Sequence, residues 1–228
     1  MIRRSSTRPD PTPATRWRRE APVQRRAHET QERFAAAAEA LLQESPFEAI
    51  SVQAIARRAG RPVGSFYARF ASKEALLPFL YERYHEGLES LVEARVGARN
   101  WSRLGFTATI EGVVDVLLGL YDERRWLIRA LALFTRQSPE ALPGDLVERR
   151  RRVYDRMVAV LIRHRDRIRH PDPEAAIRFG VFMVSAVARE KLLFGDAPHS
   201  RVTPLTRRAL RAELVRALRG YLSLEARS

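Results

Sequence analysis

The stretch that most constrains this chain runs from Ser51 to Leu77, SVQAIARRAGRPVGSFYARFASKEALL. It predicts two short helices joined by a tight turn, then a third helix with its own start signal. Ser51 is a good N-cap, because its hydroxyl can accept from backbone N–H groups of the first turn. Val52, Ile55 and Ala56 follow at i, i+3 and i+4 and give this helix one apolar face. Gly60 suits the left-handed conformation that ends many helices. Pro62 fits the first position of a new helix, where its missing N–H costs nothing. Phe66 and Phe70, four apart, point inward and leave Ser65, Tyr67, Ala68 and Arg69 on the other faces. Ser72 caps the next helix, with Glu74 in the first turn, where the helix dipole favours it. Two short helices about a Gly-containing turn are the helix-turn-helix plan, whose second helix enters the major groove of DNA. The charge agrees: from Arg57 to Glu74 there are five basic residues and one acid.

At these residues the chain resembles the TetR family of bacterial transcriptional regulators. The family pattern is a hydrophobic residue and Ala-x-x-Ala-Gly, then Gly-x-Leu-Tyr-x-His-Phe, then a capped Lys-Glu-x-Leu. The matching residues are Ile55-Ala56-Arg57-Arg58-Ala59-Gly60, Gly64-Ser65-Phe66-Tyr67-Ala68-Arg69-Phe70 and Ser72-Lys73-Glu74-Ala75-Leu76. Upstream, Phe34, Ala37, Ala38, Leu41 and Leu42 fit the apolar positions of the preceding helix, so the specific likeness covers about residues 28–77. The chain departs from the pattern at Arg61, Pro62 and Arg69, where an aliphatic, a small hydroxyl residue and a His are usual. These positions lie on or beside the recognition helix, so a relative's operator sequence does not transfer.

Length and composition bound the rest. At 228 residues the chain can bury a sizeable core. It has no cysteine, which excludes disulfides, zinc–thiolate sites and thiol chemistry. No secretory leader and no apolar run of spanning length is present, so a soluble, cytoplasmic protein without a membrane partner is expected. The five histidines, His28, His85, His164, His170 and His199, include no pair at i, i+3 or i+4. No phosphate-binding glycine loop and no Gly-x-Ser-x-Gly elbow occurs. The expectation is no enzyme, no metal and no cofactor. The net charge is +14, but residues 28–75 carry six bases and six acids, so much of the excess lies away from the DNA-facing motif.

Taken in order, residues 1–23 read as a disordered basic tail: Pro9, Pro11 and Pro13 stand among arginines, with too little apolar surface to fold. Arg16, Arg18, Arg19, Arg25 and Arg26 are placed either as a solvated segment or as an arm reaching DNA phosphates. Residues 24–75 are expected to form the DNA-binding domain and 76–228 a ligand-binding and dimerisation domain, all-α, with about nine helices. The helix beginning at Lys73 carries Leu76, Leu80, Tyr84, Leu88 and Leu91 in helical step and links the two. A long helix is expected from Asp145 to about Ile168, a buried one from Asp172-Pro173-Glu174 to Gly195, and a last one capped by Thr203-Pro204. Arg149 to Arg152 point around most of a helix; they read as solvated surface, or as one arginine turned inward toward an acidic ligand.

The resemblance implies backbone-holding roles for Ser51, Tyr67 and Lys73. Arg61, Val63, Ser65 and Arg69 occupy the exposed side of the turn and recognition helix and are expected to read bases, with Arg61 favoured. Pro62, Gly64, Arg25 and Arg26 complete the expected DNA-binding set. In a family that binds small molecules among the later helices, Phe106, Ile110, Trp126, Phe134, Tyr154 and Met157 are expected to line a pocket. The last two helices are expected to form a four-helix bundle in a homodimer through Ile177, Val181, Val184, Ala188, Leu210, Leu214 and Leu218, with the small residues Gly180, Ser185, Ala186 and Ala188 allowing close approach. The function expected is that of a ligand-responsive regulator, a repressor binding a palindromic DNA operator as a homodimer and released by a small-molecule effector. The alternatives are a constitutive or architectural DNA-binding protein and a helical adaptor that binds no DNA.

Overall fold

The computed structural model describes residues 22–142 and 144–223, with side chains from Arg26 onward. The expected N-terminal tail, including Arg16, Arg18 and Arg19, lies outside the described residues up to Ala21, and so does the side chain of Arg25. Among the described residues there are ten α-helices and no strand. The count exceeds nine because Pro198–Arg201 forms a four-residue helix, α9, that carries no amphipathic period to announce it.

Two cores organise the chain. The first is built by α1 (Pro22–Leu42), α2 (Val52–Arg58), α3 (Val63–Tyr67) and the start of α4 (Leu76–Gly97). Helix α1 begins with proline, so its first two residues belong to the stretch expected to be tail. At its centre Phe34 meets Phe66 and Phe70 edge-on, with ring centroids 5.2 and 6.4 Å apart, and Phe79 closes on Phe70 at 6.0 Å. Edge-to-face pairs of this kind add about 0.5–1.5 kcal/mol each beyond burial. This core reaches past residue 75: Leu76, Leu77, Leu80 and Tyr81 of α4 belong to it, as do Leu127, Leu131 and Phe134 of α6 (Arg125–Gln137).

The second core is formed by α5 (Phe106–Asp122), α7 (Leu146–Leu161), α8 (Pro173–Leu193) and α10 (Arg207–Ser223). Asp172 caps α8, accepting from the Ala175 N–H at 3.0 Å. Helix α7 ends at Leu161 rather than near Ile168, because the chain tightens into a 3-10 turn over Ile162–Arg167 with non-helical His164 inside it. The last helix starts later than Thr203-Pro204 suggests: Thr206 is the residue whose hydroxyl accepts, from Ala209. Helices α8 and α10 touch closely at Gly180, where an added Cβ would lie 2.5 Å from Leu218 Cδ1. No helix among the described residues is long and apolar enough to cross a membrane.

The residues expected at a dimer interface need correction here. Ile177, Val181, Val184, Ala188 and Leu218 are fully buried within the single chain, and Leu210 and Leu214 nearly so. They fill the core between α5, α8 and α10 and offer a partner nothing. The small residues are also used internally: Gly180 admits Leu218, and Ser185 bonds to the Tyr121 hydroxyl at 2.8 Å. Helix α8 does have a second apolar face, and it is a different one. Phe179 and Phe182 stand 54% and 53% exposed, with Ala175, half-buried Met183 and Ala186 in step with them.

Candidate nucleic-acid interface and effector cavity

The turn between α2 and α3 is built as its residues dictate. Ser51 Oγ accepts from the Ala54 N–H at 3.1 Å and starts α2. Gly60 has φ +64°, the conformation that costs glycine least. Its N–H donates to Arg57 O, and the Arg61 N–H donates to Ala56 O at 3.0 Å. That pair of bonds is the Schellman closure of a helix end. Pro62 stands one place earlier than expected, at the N-cap of α3 with ψ 148°, so Val63 is the first helical residue.

With Phe66 driven into the core, the remaining side chains of α3 take fixed places. Arg61, Pro62, Gly64 and Tyr67 are exposed; Val63, Ser65 and Arg69 are half-buried. Tyr67 stands edge-on to Phe66 and is 53% exposed. Gly64 has open space where a Cβ would stand, so backbone can approach it closely. Arg61 enters no ion pair among the described residues. Arg69 differs: its Nε is sealed from solvent without a hydrogen-bond partner. Arg26 lies exposed on the first turns of α1.

Lys73 does not stand free to clamp a phosphate. Its Nζ donates to the carbonyls of Phe47 and Glu48 at 3.0 and 3.1 Å and sits 4.8 Å from the Phe47 ring centroid. It fastens the 3-10 turn Phe47–Ala49, whose carbonyls precede α2, to the start of α4. Lys73→Ala is therefore expected to lower stability by about 1–2 kcal/mol, read by urea unfolding, with the salt dependence of DNA binding unchanged. A salt slope reduced by about one per half-site would restore the phosphate role.

A cavity of about 250 Å³ lies between α4, α5, α6, α7 and α8. Of the residues expected to line it, Tyr154 and Met157 do. The other four are placed elsewhere. Ile110 is fully buried in the second core, and Phe134 belongs to the first. Phe106 packs beside His164 with ring centroids 5.7 Å apart. Trp126 is 40% exposed, under the Arg125 guanidinium at 4.1 Å. Each keeps a helical apolar spacing, but spacing does not say which neighbour a face meets.

The lining that sequence reasoning missed includes a cluster of aromatic residues with polar tips. Tyr81, Tyr84, His85 and Leu88 follow one another at helical step on α4, opposite Tyr121 of α5 and Arg189 of α8. The signal available was this cluster, since a buried Tyr or His needs a partner for its polar end. Burial pushes the Tyr84 and Tyr121 hydroxyls up; the Ser185 bond partly offsets this at Tyr121. The Tyr81 hydroxyl is sealed from solvent with no partner of normal hydrogen-bond geometry, although Arg150 comes close enough to lower its pKa against the larger effect of burial.

His85 is 6% exposed and its pKa is lowered to about 4, first by burial and then by the Arg150 and Arg149 charges. A base with a depressed folded pKa stabilises the fold fully above its unfolded value of 6.5, and this is lost as pH falls toward 4. Between pH 8 and pH 5 the loss is about 2 kcal/mol. Urea unfolding at the two pH values should show that loss in the wild type and much less in His85→Gln; equal slopes in both would remove His85 as the cause.

Two helices join the cavity to the first core. Helix α4 contributes Leu76, Leu77 and Leu80 to that core and Tyr84, His85 and Leu88 to the cavity. Helix α6 contributes Leu127, Leu131 and Phe134 to the core and Ile128, Ala132, Thr135 and Arg136 to the cavity. Arg83 of α4 bridges Glu32 and Glu39 of α1 at 3.2 and 3.4 Å, and Arg124, capping α6, lies 3.9 Å from Glu39. Of the run Arg149–Arg152, Arg149 and Arg152 reach across to Glu82 and Glu89 of α4, while Arg150 lines the cavity.

Residues 35–78 match the family described as bacterial regulatory proteins, tetR family. The comparison with curated proteins finds no match. Among solved structures the fold is similar to a transcriptional regulator from Rhodococcus sp. Rha1, at 23% identity and a TM-score of 0.56, covering 84% of this chain and 95% of that one. It is likewise similar to the TetR family transcriptional regulator PfmR from Thermus thermophilus, at 20% identity and a TM-score of 0.55, covering 86% and 100%. A TetR-family regulator from Streptomyces coelicolor aligns at 22% identity and a TM-score of 0.53, covering 85% and 97%. The helix-turn-helix region thus matches the model of the tetR family of bacterial regulatory proteins, and the described fold is similar to that of solved tetR-family regulators.

Proposed function

We propose that the chain is a repressor that binds a palindromic operator as a homodimer and leaves it when a small molecule occupies the cavity. The DNA-binding domain is residues 24–75, carried on α4; residues 76–228 bind the effector and dimerise. Arg61, Val63 and Ser65 read bases, with Arg69 secondary. Ser51, Tyr67 and the exposed Arg26 hold the backbone, with Arg25 beside it in the chain, and Pro62 and Gly64 let the helix start lie close to the groove.

The observation that carries effector control is the double membership of α4 and α6. Each is packed into the core under the recognition helix and also forms cavity wall, so a shift of either is felt at both ends. A ligand moves such an equilibrium only by its differential affinity for the two states. In a two-fold dimer the recognition helices stand about 34–36 Å apart or a multiple, one turn of DNA.

The dimer forms on the exposed face of α8. Phe179 and Phe182 lead it, and Tyr221 of α10 continues it, 5.4 Å from the Phe179 ring centroid. The test is selection of bound DNA from random sequence, followed by footprinting. A short protected palindrome supports the reading. Diffuse protection supports an architectural DNA binder instead, and absence of duplex binding at low salt an adaptor.

A further inference from the structure

We infer that the effector is a small organic anion, an apolar body with a carboxylate head, seated with its head at Arg150 and Arg189. This rests on the cavity being the effector site, as proposed above.

The first observation is charge. Among the described residues three arginines, Arg136, Arg150 and Arg189, reach the cavity, and no aspartate or glutamate lines it. The arginines of this region are otherwise matched: Arg149 with Glu82, Arg152 with Glu89, Arg178 with Asp155. Among the described residues, neither Arg150 nor Arg189 has a carboxylate within 4.0 Å. Arg136 instead lies against the Phe194 ring, at 5.4 Å. Arg150 reaches the rim from an exposed turn of α7, and Arg189 is half-buried. His85, held neutral, adds no charge of its own. A cation entering here meets only like charge, whereas a carboxylate meets two guanidinium groups with donors to spare.

The second observation is an unfilled polar group. The Tyr81 hydroxyl lines the cavity, the residue is 2% exposed, and among the described residues only the Arg150 guanidinium approaches it, outside normal hydrogen-bond geometry. Leaving such a group unpaired costs free energy that a ligand acceptor recovers. The rest of the wall, including Leu88, Leu117, Leu131, Met157 and Val181, is apolar and suits a hydrocarbon or aromatic body. At about 250 Å³ the space falls below the ~300–1,000 Å³ of drug-sized pockets, so the body is small.

The test uses matched probes on the full chain by calorimetry at neutral pH: cinnamate, benzoate and octanoate, each with its amide and its amine. At least one acid is expected to bind about tenfold or more tighter than its amide, the scale of one charge-assisted hydrogen bond, with its amine weakest. Arg150→Gln with Arg189→Gln, checked for unaltered unfolding, should bring acid and amide to equal affinity. An amide or amine binding as tightly as its acid, or no acid binding at millimolar concentration, overturns the inference. So does a preference for acid that survives the double substitution. Each acid is also added to the protein on its selected DNA. An acid that binds selectively yet leaves the DNA complex intact overturns effector control and leaves the anion site standing. Release of DNA by a neutral or cationic compound does the reverse.

Discussion

Replacing Phe182 with arginine is expected to turn a dimer into a monomer and to weaken operator binding about a thousandfold or more. Phe179 and Phe182 each leave about half a ring in water, on the order of 100 Å². Covering that area is worth about 2.5 kcal/mol per ring. Symmetry places four such rings at the interface, about 10 kcal/mol gross, which is comparable with the 4–15 kcal/mol cost of association. Losing one ring per subunit removes about 5 kcal/mol and buries two like charges besides. The site is exposed, so the fold of the single chain survives, and unchanged helical circular dichroism shows it. Sedimentation at micromolar protein should give twice the chain mass for the wild type and the single mass for the variant, with Phe182→Leu retaining the dimer. A Phe182→Arg protein that stays dimeric and binds the palindrome normally sinks the assignment of this face.

That face also shows where sequence reasoning stops. The pattern of residues 174–194 is apolar on two sides, and period alone does not rank the sides. The sequence reading chooses Val184 for the interface; only the packing of α5 and α10 shows that Val184 is the chain's own core and that Phe182 lies on the open side. The helix-turn-helix was legible because its signals are local. Ser51 with Ala54, and Gly60 with Arg57, are bonds between residues three apart, and Phe66 with Phe70 is one helical turn. Lys73 failed for the opposite reason: the carbonyls that occupy it lie 25 and 26 residues away. The cavity is of the same kind. Tyr121 meets Ser185 across 64 residues, and nothing in either neighbourhood announces the other. Phe134 and Trp126 sit on one amphipathic helix that faces the DNA-binding core and the solvent in turn, so aromatic content did not identify lining.

Arg61→Ala is expected to cost about 1–3 kcal/mol per half-site on the selected operator, hence about 2–6 kcal/mol for a dimer, and to relax preference at one position of each half-site. The reasoning starts from the turn. The Schellman closure at Gly60 fixes where Arg61 leaves α2, and Pro62 holds the extended backbone that leads into α3. Arg61 thus precedes the first turn of the recognition helix, the end that usually meets base edges. Its side chain is exposed and enters no ion pair among the described residues, so all its donors are available to a guanine edge. Arg69 follows the end of α3, is half-buried, and has its Nε sealed away from solvent. Arg69→Ala should therefore weaken binding less and change sequence preference less than Arg61→Ala. Repeating the selection with each variant separates the roles. A phosphate contact at Arg61 would instead lower affinity for all sequences alike and reduce the salt slope by about one per half-site. Unaltered preference in Arg61→Ala, with altered preference in Arg69→Ala, would transfer base reading to the far end of the helix.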